Sequence, residues 1–159
     1  MAEISAWRVT DPRWAASAFD GEGALRYGGR FNSIGERAVY ASGSLALAVL
    51  EMLVQAGRRS RIRDHVCFSI VFDTSQVEIV EASDLPPGWD HIPHQRASQE
   101  IGDAWLRERR SLLLRIPSVV VPVEYNYVIN PLHPDMASLR IGAAQPVPVD
   151  RRIDTTVGS

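Results

Sequence analysis

The sequence of 159 residues contains no lysine, so all 17 of its basic residues are arginines. Without lysine there is no Schiff-base lysine, no phosphate-binding P-loop lysine and no lysine general base. Any side-chain cation that holds an anion must therefore be arginine or histidine. The planar guanidinium group of arginine matches the geometry of phosphates and carboxylates.

The sequence also contains little cysteine, no long apolar run and no excess of positive charge. Cys67 is the single cysteine, which excludes an internal disulfide and fits a reducing compartment; its apolar neighbours indicate a core position. No apolar run is long enough to cross a bilayer, and the N-terminus lacks the pattern of a secretory signal. The net charge of -2 provides no basic field that would attract nucleic acid. We therefore expect a cytoplasmic protein without a membrane or nucleic-acid partner.

Histidine is scarce as well, and its spacing is a poor match to a metal site. His91 and His94 follow Asp90, but a proline between the two histidines disfavours a helical pair of ligands. The two other histidines, His65 and His133, are distant in sequence. A solvated loop explains this segment better, and we expect no metal.

What the chain does contain is typical of one globular domain. Hydrophobic residues make up 45% of the sequence and charged residues 23%, which are ordinary values for a packed domain. Helical and strand-like segments occur in mixed order, with strands dominating the second half, so the predicted fold class is α+β. We assign residues 1–159 to a single domain, with a core from about residue 7 to 153 and a frayed tail at 154–159.

The local pattern predicts three helices. Asp11 caps a first short helix, and Ser42 or Ser44 caps a second helix that Gly57 ends. A third helix covers residues 98–109, where apolar residues recur at helical spacing.

The second helix carries a single carboxylate within an apolar run. Between Leu45 and Val54 every residue is apolar except Glu51. A helix that is apolar on nearly all sides is usually buried, and an unpaired buried carboxylate is strongly destabilising. Glu51 therefore either lies on the one wetted edge of the helix or is held in a site by arginine or hydroxyl groups.

Two arginines bracket a glycine pair in the segment "RYGGRFN". Gly28 and Gly29 permit positive φ or close approach of the backbone, and Arg26 and Arg30 suit a phosphate-bearing ligand. The spacing does not match a dinucleotide-binding glycine fingerprint, and the surrounding segment 21–38 is predicted to be too irregular for a helix. On this feature alone, an ordinary turn with solvated arginines is the simpler interpretation.

A later segment, "IPSVVVPVEYNYVINP", predicts short strands interrupted by Pro117 and Pro122. It carries Ser118 at its start and Asn126 further along. No nucleophile-elbow pattern surrounds Ser118, so we interpret this serine as a hydrogen-bonding residue rather than a nucleophile.

Together, these segments resemble the RES-domain family, the toxins of bacterial Xre–RES toxin–antitoxin modules. The resemblance rests on "RYGGRFNSIGERAVYASGSLALAVLEMLVQ", "IGDAW", "IPSVVVPVEYNYVINPLHPD" and "PVPVDRRI", in that order. It implies a fold like that of ADP-ribosyltransferases, with a split β-sheet core, flanking helices and a cleft for NAD+.

The resemblance also implies the site residues. The family's Arg, Glu and Ser fall on Arg30, Glu51 and Ser118, and Tyr40 matches an active-site aromatic residue, so these four are the predicted catalytic residues. Glu51 would face the developing ribosyl cation, Tyr40 would stack on nicotinamide, and Ser118 would orient the ribose or the carboxamide. The predicted NAD-binding residues are Arg26, Arg30, Tyr40, Ser118 and Asn126.

The implied activity is cleavage of the nicotinamide–ribose bond of NAD+, which depletes NAD+ by hydrolysis or phosphorolysis. The alternative is mono-ADP-ribosylation of a host metabolic enzyme, such as ribose-phosphate pyrophosphokinase. NAD+ is then the substrate, an Xre-family antitoxin is the expected partner, and a protein is a further candidate acceptor. A ribonuclease toxin is less favoured, because this sequence lacks the excess of basic residues that an RNA-binding surface needs. A non-catalytic binding module is also less favoured, because it leaves Glu51 unexplained.

Overall fold

The computed structural model describes residues 2–56 and 61–157, which form one mixed β-sheet with helices packed against it. The strands are β1 (Glu3–Thr10), β2 (Val39–Ser42), β3 (Val66–Asp73), β4 (Val77–Ile79), β5 (Leu113–Pro117), β6 (Tyr125–Ile129), β7 (Arg140–Ile141) and β8 (Gln145–Pro146). The α-helices are α1 (Glu22–Tyr27), α2 (Leu45–Ala56), α3 (Arg96–Glu108) and α4 (Arg152–Val157). Short 3-10 helices cover Pro12–Ser17, Ile62–Asp64, Thr74–Gln76, Ala82–Asp84 and Pro134–Ser138.

The strands follow the order β4-β5-β6-β2-β1-β3-β7, and β8 adds a second partner to β3. The β4–β5 pair is parallel, and the other pairs are antiparallel. Helices and a mixed sheet in one domain confirm the predicted α+β class.

The sheet is almost divided between β1 and β2. These two strands share the single partner pair Trp7 and Ser42, whereas β1 and β3 are paired along their whole length. Beyond that pair, the side chain of Arg8 on β1 provides the hydrogen bond to β2. Its Nη1 donates to Tyr40 O at 2.9 Å, and its Nε donates to Ala18 O at 2.7 Å. The arrangement agrees with the expected split sheet, and the division lies beside the residues predicted to form the site.

Helix α2 packs across one half of the sheet. Its residues favour helix formation, and the Oγ of Ser44 accepts a hydrogen bond from Leu47 N at 3.1 Å, so Ser44 is the cap. Ala48 and Val49 pack in a buried cluster that also contains Cys67, which is fully buried as predicted. Gly57, the predicted end of this helix, lies outside the described residues.

Helix α3 covers the other half of the sheet. Trp105 and Leu106 on this helix share a buried cluster with Leu114 on β5 and Val128 on β6. Phe31, from the glycine-rich segment, completes the cluster and is almost fully buried. The glycine-rich segment is therefore clamped between α3 and the sheet.

Two local expectations differ from the structure. Segment 21–38 was predicted to lack a helix, but it contains α1, because Asp20 Oδ1 accepts from Glu22 N at 2.8 Å and Glu22 pairs with Arg26. Gly28, at a φ of 71°, ends that helix. Of the tail predicted to be frayed at 154–159, residues 154–157 are helical and 158–159 lie outside the described residues. Asp154 anchors this helix by accepting from Ile62 N at 2.8 Å.

The described helices include none that is long and apolar enough to span a membrane. Within the same part of the chain, no group of three or more His, Cys, Asp or Glu residues could hold a metal ion.

Candidate active site

Glu51 is the centre of a polar cluster at the junction of the sheet. Its Oε1 accepts two hydrogen bonds, one from Ser118 Oγ at 2.8 Å and one from Asn126 Nδ2 at 2.7 Å. The three residues come from α2, from the turn after β5 and from the start of β6. Of the two interpretations of Glu51, the structure therefore supports a carboxylate held by partners, and the partners are a hydroxyl and an amide.

Ser118 is fully buried, and its hydroxyl group bonds to the carboxylate of Glu51. Its hydroxyl donates to Glu51, and its Oγ accepts from Val121 N at 3.0 Å. Its main-chain N–H donates to Glu124 O at 2.9 Å, which closes the turn between β5 and β6. The hydroxyl of Ser118 therefore holds Oε1 of Glu51, and its predicted role of orienting the ribose or the carboxamide stays a prediction.

Asn126 links Glu51 to the junction between the two halves of the sheet. Its Oδ1 accepts from Ser42 Oγ at 2.7 Å while its Nδ2 donates to Glu51. Ser42 and Asn126 are register partners between β2 and β6, and Ser42 is also the partner of Trp7 across the single β1–β2 pair. The carboxylate is thereby fixed to the point at which the sheet divides.

The two oxygens of Glu51 have different surroundings. Both hydrogen bonds to this carboxylate end on Oε1, and Oε2 accepts none from any described residue. Glu51 is itself partly buried, so water screens its charge less than at an open surface. One oxygen is thus fixed by two hydrogen bonds, and the other has no hydrogen-bond donor among the described residues.

Arg30 lies at the tip of a tight turn formed by Gly29 to Asn32. Its Nη1 donates to Trp89 O at 2.7 Å and to His91 O at 2.9 Å. Among the described residues, none accepts a hydrogen bond from Nε or Nη2 of Arg30. Burial lowers the pKa of Arg30, and the charges of Asp90 and then Glu51 act in the opposite direction. Arg30 is therefore a cation whose charge interacts with that of Glu51, and its guanidinium is bonded through Nη1.

Tyr40 supports the same turn with its hydroxyl group. The hydroxyl donates to Asn32 Oδ1 at 2.6 Å and accepts from Phe31 N at 3.2 Å. Burial raises the pKa of Tyr40, so the hydroxyl stays protonated near neutral pH. Gly29 is required here, because a Cβ at this position would lie 2.7 Å from the Tyr40 hydroxyl oxygen.

Arg26 is bonded neither to the Glu51 cluster nor to the turn around Arg30 among the described residues. Its guanidinium pairs with Glu22 at 2.8 Å within α1, and 63% of its side chain is exposed. A role for Arg26 in binding NAD+ stays a prediction.

The chain matches known proteins over most of its length. A family model described as "RES domain" matches residues 5–150. The chain belongs to the RES domain family.

Curated relatives cover most of this RES domain. It is 37% identical over 129 residues to "Toxin Res" of Photorhabdus laumondii subsp. laumondii, which covers 81% of this chain and 83% of that protein. It is 38% identical over 141 residues to the "Prs ADP-ribosylating toxin" of Sphingobium sp. (strain YBL2), covering 86% of this chain and 88% of that protein. These matches confirm the resemblance to RES-domain toxins.

A solved structure confirms the fold. The RES domain superposes on a chain of the M. tuberculosis MbcT–MbcA toxin–antitoxin complex with a TM-score of 0.73, covering 99% of this chain and 90% of that chain. Sequence identity between them is 15%, so this likeness concerns the fold alone.

Two sets of residues near the site of this RES domain were not predicted from its sequence. Ser42 was considered as a helix cap, and nothing in its neighbourhood indicated a contact with Asn126, which is 84 residues away. The polar face of α3 was missed as well, although it contacts the turn around Arg30 through Ser98, Gln99 and Asp103. Three polar residues on the buried side of an amphipathic helix were the signal that could have indicated it.

Proposed function

We propose that this RES domain cleaves the nicotinamide–ribose bond of NAD+ and depletes NAD+ by hydrolysis or phosphorolysis. The observation that carries the proposal is the hydrogen bonding of the Glu51 carboxylate. Its Oε1 is held by Ser118 and Asn126, while its Oε2 accepts no hydrogen bond from the described residues. A fixed carboxylate with one available oxygen is suited to a reaction in which positive charge develops on the substrate.

Cleavage of this bond has that electrostatic requirement. The C1″–N bond breaks, its electron pair stays on nitrogen, and nicotinamide leaves as a neutral molecule. Positive charge spreads over the ribose C1″ and ring oxygen in an oxocarbenium-like transition state. Glu51 would stabilise that charge in a partly desolvated position, where a carboxylate exerts a stronger field than in water. The same oxygen could accept a hydrogen bond from a ribose hydroxyl.

Arg30 would supply the complementary contact to the anionic part of the substrate. Its Nη1 is held by two main-chain carbonyls, and no described residue accepts a hydrogen bond from Nε or Nη2, so these two groups could bind a ligand. Two such donors match two oxygens of a pyrophosphate. Tyr40 would keep the turn and therefore Arg30 in place, since its hydroxyl bonds Phe31 and Asn32.

The second candidate function is mono-ADP-ribosylation of a protein, and one relative favours it. The Sphingobium protein that is 38% identical to this chain is named an ADP-ribosylating toxin acting on Prs. The first step would be the same in both functions, because nicotinamide leaves in each. The acceptor differs: water, phosphate or a side chain of a host metabolic enzyme forms the new bond to C1″ and loses a proton.

We further propose that an antitoxin of the Xre family covers the cleft and that the toxin acts in the cytoplasm. The support is the likeness in fold to a toxin solved as a toxin–antitoxin complex. An enzyme that drains NAD+ would arrest its own host without such a partner. Co-expression of an adjacent helix-turn-helix protein should then restore growth, whereas an unchanged growth defect would contradict this part of the proposal.

The test is a product analysis after incubation with NAD+ that carries a label in the ADP-ribose part. The proposal predicts free nicotinamide together with labelled ADP-ribose, or with ADP-ribose 1″-phosphate when phosphate is present. Label on protein in a cell lysate would favour the transferase instead. NAD+ that stays intact in buffer, with phosphate and in the cell lysate would contradict both functions. Degradation of added RNA would favour a ribonuclease.

A further inference from the structure

The turn that carries Arg30 is short and stands apart from the main sheet. Gly29 N donates to Asn32 O at 2.9 Å, and Asn32 N donates to Gly29 O at 3.5 Å, which makes an isolated bridge. Arg30 and Phe31 form the tip. Because such a small hairpin is marginally stable by itself, the orientation of Arg30 depends on contacts from elsewhere.

Gln99 on α3 provides two of these contacts with one amide group. Its Nε2 donates to Gly29 O at 3.0 Å and to Asn32 O at 3.1 Å. A primary amide has two N–H groups, so both hydrogen bonds can form together. Gln99 thereby bonds both carbonyls of the bridge that closes the turn.

Neighbouring residues on the same side of α3 contact the rest of the turn. Ser98 Oγ donates to Arg30 O at 2.7 Å. Gly102, one helical turn later, lies so close to the tip that a Cβ there would be 1.6 Å from Phe31 O. Residues three and four apart share a helix face, so α3 presents a continuous surface to the backbone of the turn.

The guanidinium of Arg30 is held by the loop that immediately precedes α3. Nη1 of Arg30 donates to the carbonyls of Trp89 and His91, and α3 begins at Arg96. One stretch of chain therefore holds both the backbone and the side chain of Arg30. Gln99 forms no hydrogen bond with Glu51 or with the guanidinium within the described part of the chain, so its influence passes through the main chain of the turn.

We propose that Gln99 is a positioning residue that holds the turn so that the guanidinium of Arg30 faces the substrate. This inference rests on the proposed NAD+ reaction and adds a residue to it. Gln99→Met keeps a similar side-chain length and removes both donors. Glu100→Met is the matched control, because Glu100 is a neighbouring exposed residue of α3.

Steady-state kinetics of nicotinamide release test the inference. Gln99→Met should raise KM for NAD+ about tenfold, which corresponds to about 1.4 kcal/mol, whereas Glu100→Met should leave KM unchanged. In an Arg30→Ala background, Gln99→Met should cause little further loss, because residues that act through one another are not additive. An unchanged KM, or a loss that adds fully to that of Arg30→Ala, would overturn the proposal.

A second measurement does not depend on catalysis. Hydrogen exchange of the Gly29 amide, followed by NMR, should become about tenfold faster in Gln99→Met than in Glu100→Met. Equal exchange in the two variants would overturn the positioning role. If the unmutated protein releases no nicotinamide, the proposed function fails, while the exchange data still decide whether Gln99 holds the turn. Gln99→Glu sets a carboxylate against the two carbonyls, and it gives the same readouts should Gln99→Met not fold.

Discussion

Ser118 Oγ donates a hydrogen bond to Glu51 Oε1 at 2.8 Å, although the two residues are 67 positions apart in the sequence. Ser118 is fully buried, and Glu51 is only partly buried. The serine therefore holds Oε1 of the carboxylate from the protein interior, and Oε2 accepts no hydrogen bond from the described residues. This relationship makes Ser118 a support for Glu51, and several consequences can be measured.

Ser118→Ala removes the donor to Glu51 and also the acceptor of Val121 N. We expect the rate of nicotinamide release to fall about tenfold and the free energy of unfolding to fall by about 1–3 kcal/mol. Enzyme kinetics and urea unfolding measure the two effects. Ser83→Ala, at an exposed serine, is the control and should change neither quantity. A fully active Ser118→Ala would show that Oε1 needs no such support.

Asn126→Asp places a second carboxylate where an amide now donates to Glu51 at 2.7 Å. Two carboxylates at this distance share a proton, so the pKa of the pair rises in the folded state. A raised folded pKa means that the stability is present at low pH and is lost as the pH rises through that pKa. Urea unfolding should therefore show a larger deficit at neutral than at acidic pH. Asn126→Ala should show no such pH dependence, and identical profiles for both variants would contradict the contact.

Tyr40→Phe removes the hydroxyl that bonds Asn32 and Phe31. Near neutral pH we expect a loss of about 1–2 kcal/mol in the free energy of unfolding. Burial raises the folded pKa of Tyr40, so its contribution is complete below the unfolded value of about 10 and is lost as the pH rises above it. The stability difference between the two proteins should therefore shrink in strongly alkaline solution. A constant difference there would contradict a buried, neutral Tyr40.

Gly102→Ala tests the contact between α3 and the turn. A Cβ at Gly102 would lie 1.6 Å from Phe31 O, so the helix or the turn must move, and we expect a loss of about 3 kcal/mol or more. Gly23→Ala is the matched control, because a Cβ at Gly23 in α1 meets nothing within 4 Å. That control should be neutral or stabilising by up to about 1 kcal/mol. Thermal or urea unfolding of both variants decides the point, and equal stability would contradict the close approach.

Features of this site that depend on neighbouring residues in the sequence can be predicted from it, whereas contacts between residues far apart in the sequence cannot. Glu51 is the single carboxylate in an apolar helix, and the local period of that helix is enough to make it conspicuous. The contact of Ser42 with Asn126 depends on strand register across 84 residues, which no local pattern specifies. Ser118 could be recognised as a hydrogen-bonding residue, but its burial and its bond to Glu51 follow from the packing of the turn at the end of β5.

The fold shows the same division. The class, the second helix with its Ser44 cap and the core position of Cys67 were predictable from composition and period. Helix α1 was not, because it contains Gly23 and is supported by the ion pair of Glu22 with Arg26 and by the hydrogen bond from Glu22 N to Asp20. The face of α3 that holds the turn around Arg30 could not be assigned, since it depends on how a helix docks against a segment about 70 residues earlier.

The role of Glu51 is the central claim, and Glu51→Gln tests it most directly. This variant keeps the size of the side chain and removes its charge, and Glu100→Gln, at an exposed carboxylate of α3, is the control. The measurement is the rate of nicotinamide release from NAD+ at saturating substrate, for proteins shown to be folded. We predict a fall of roughly 100-fold or more for Glu51→Gln and no change for Glu100→Gln. Nicotinamide release by folded Glu51→Gln at the rate of the unmutated protein would contradict the account.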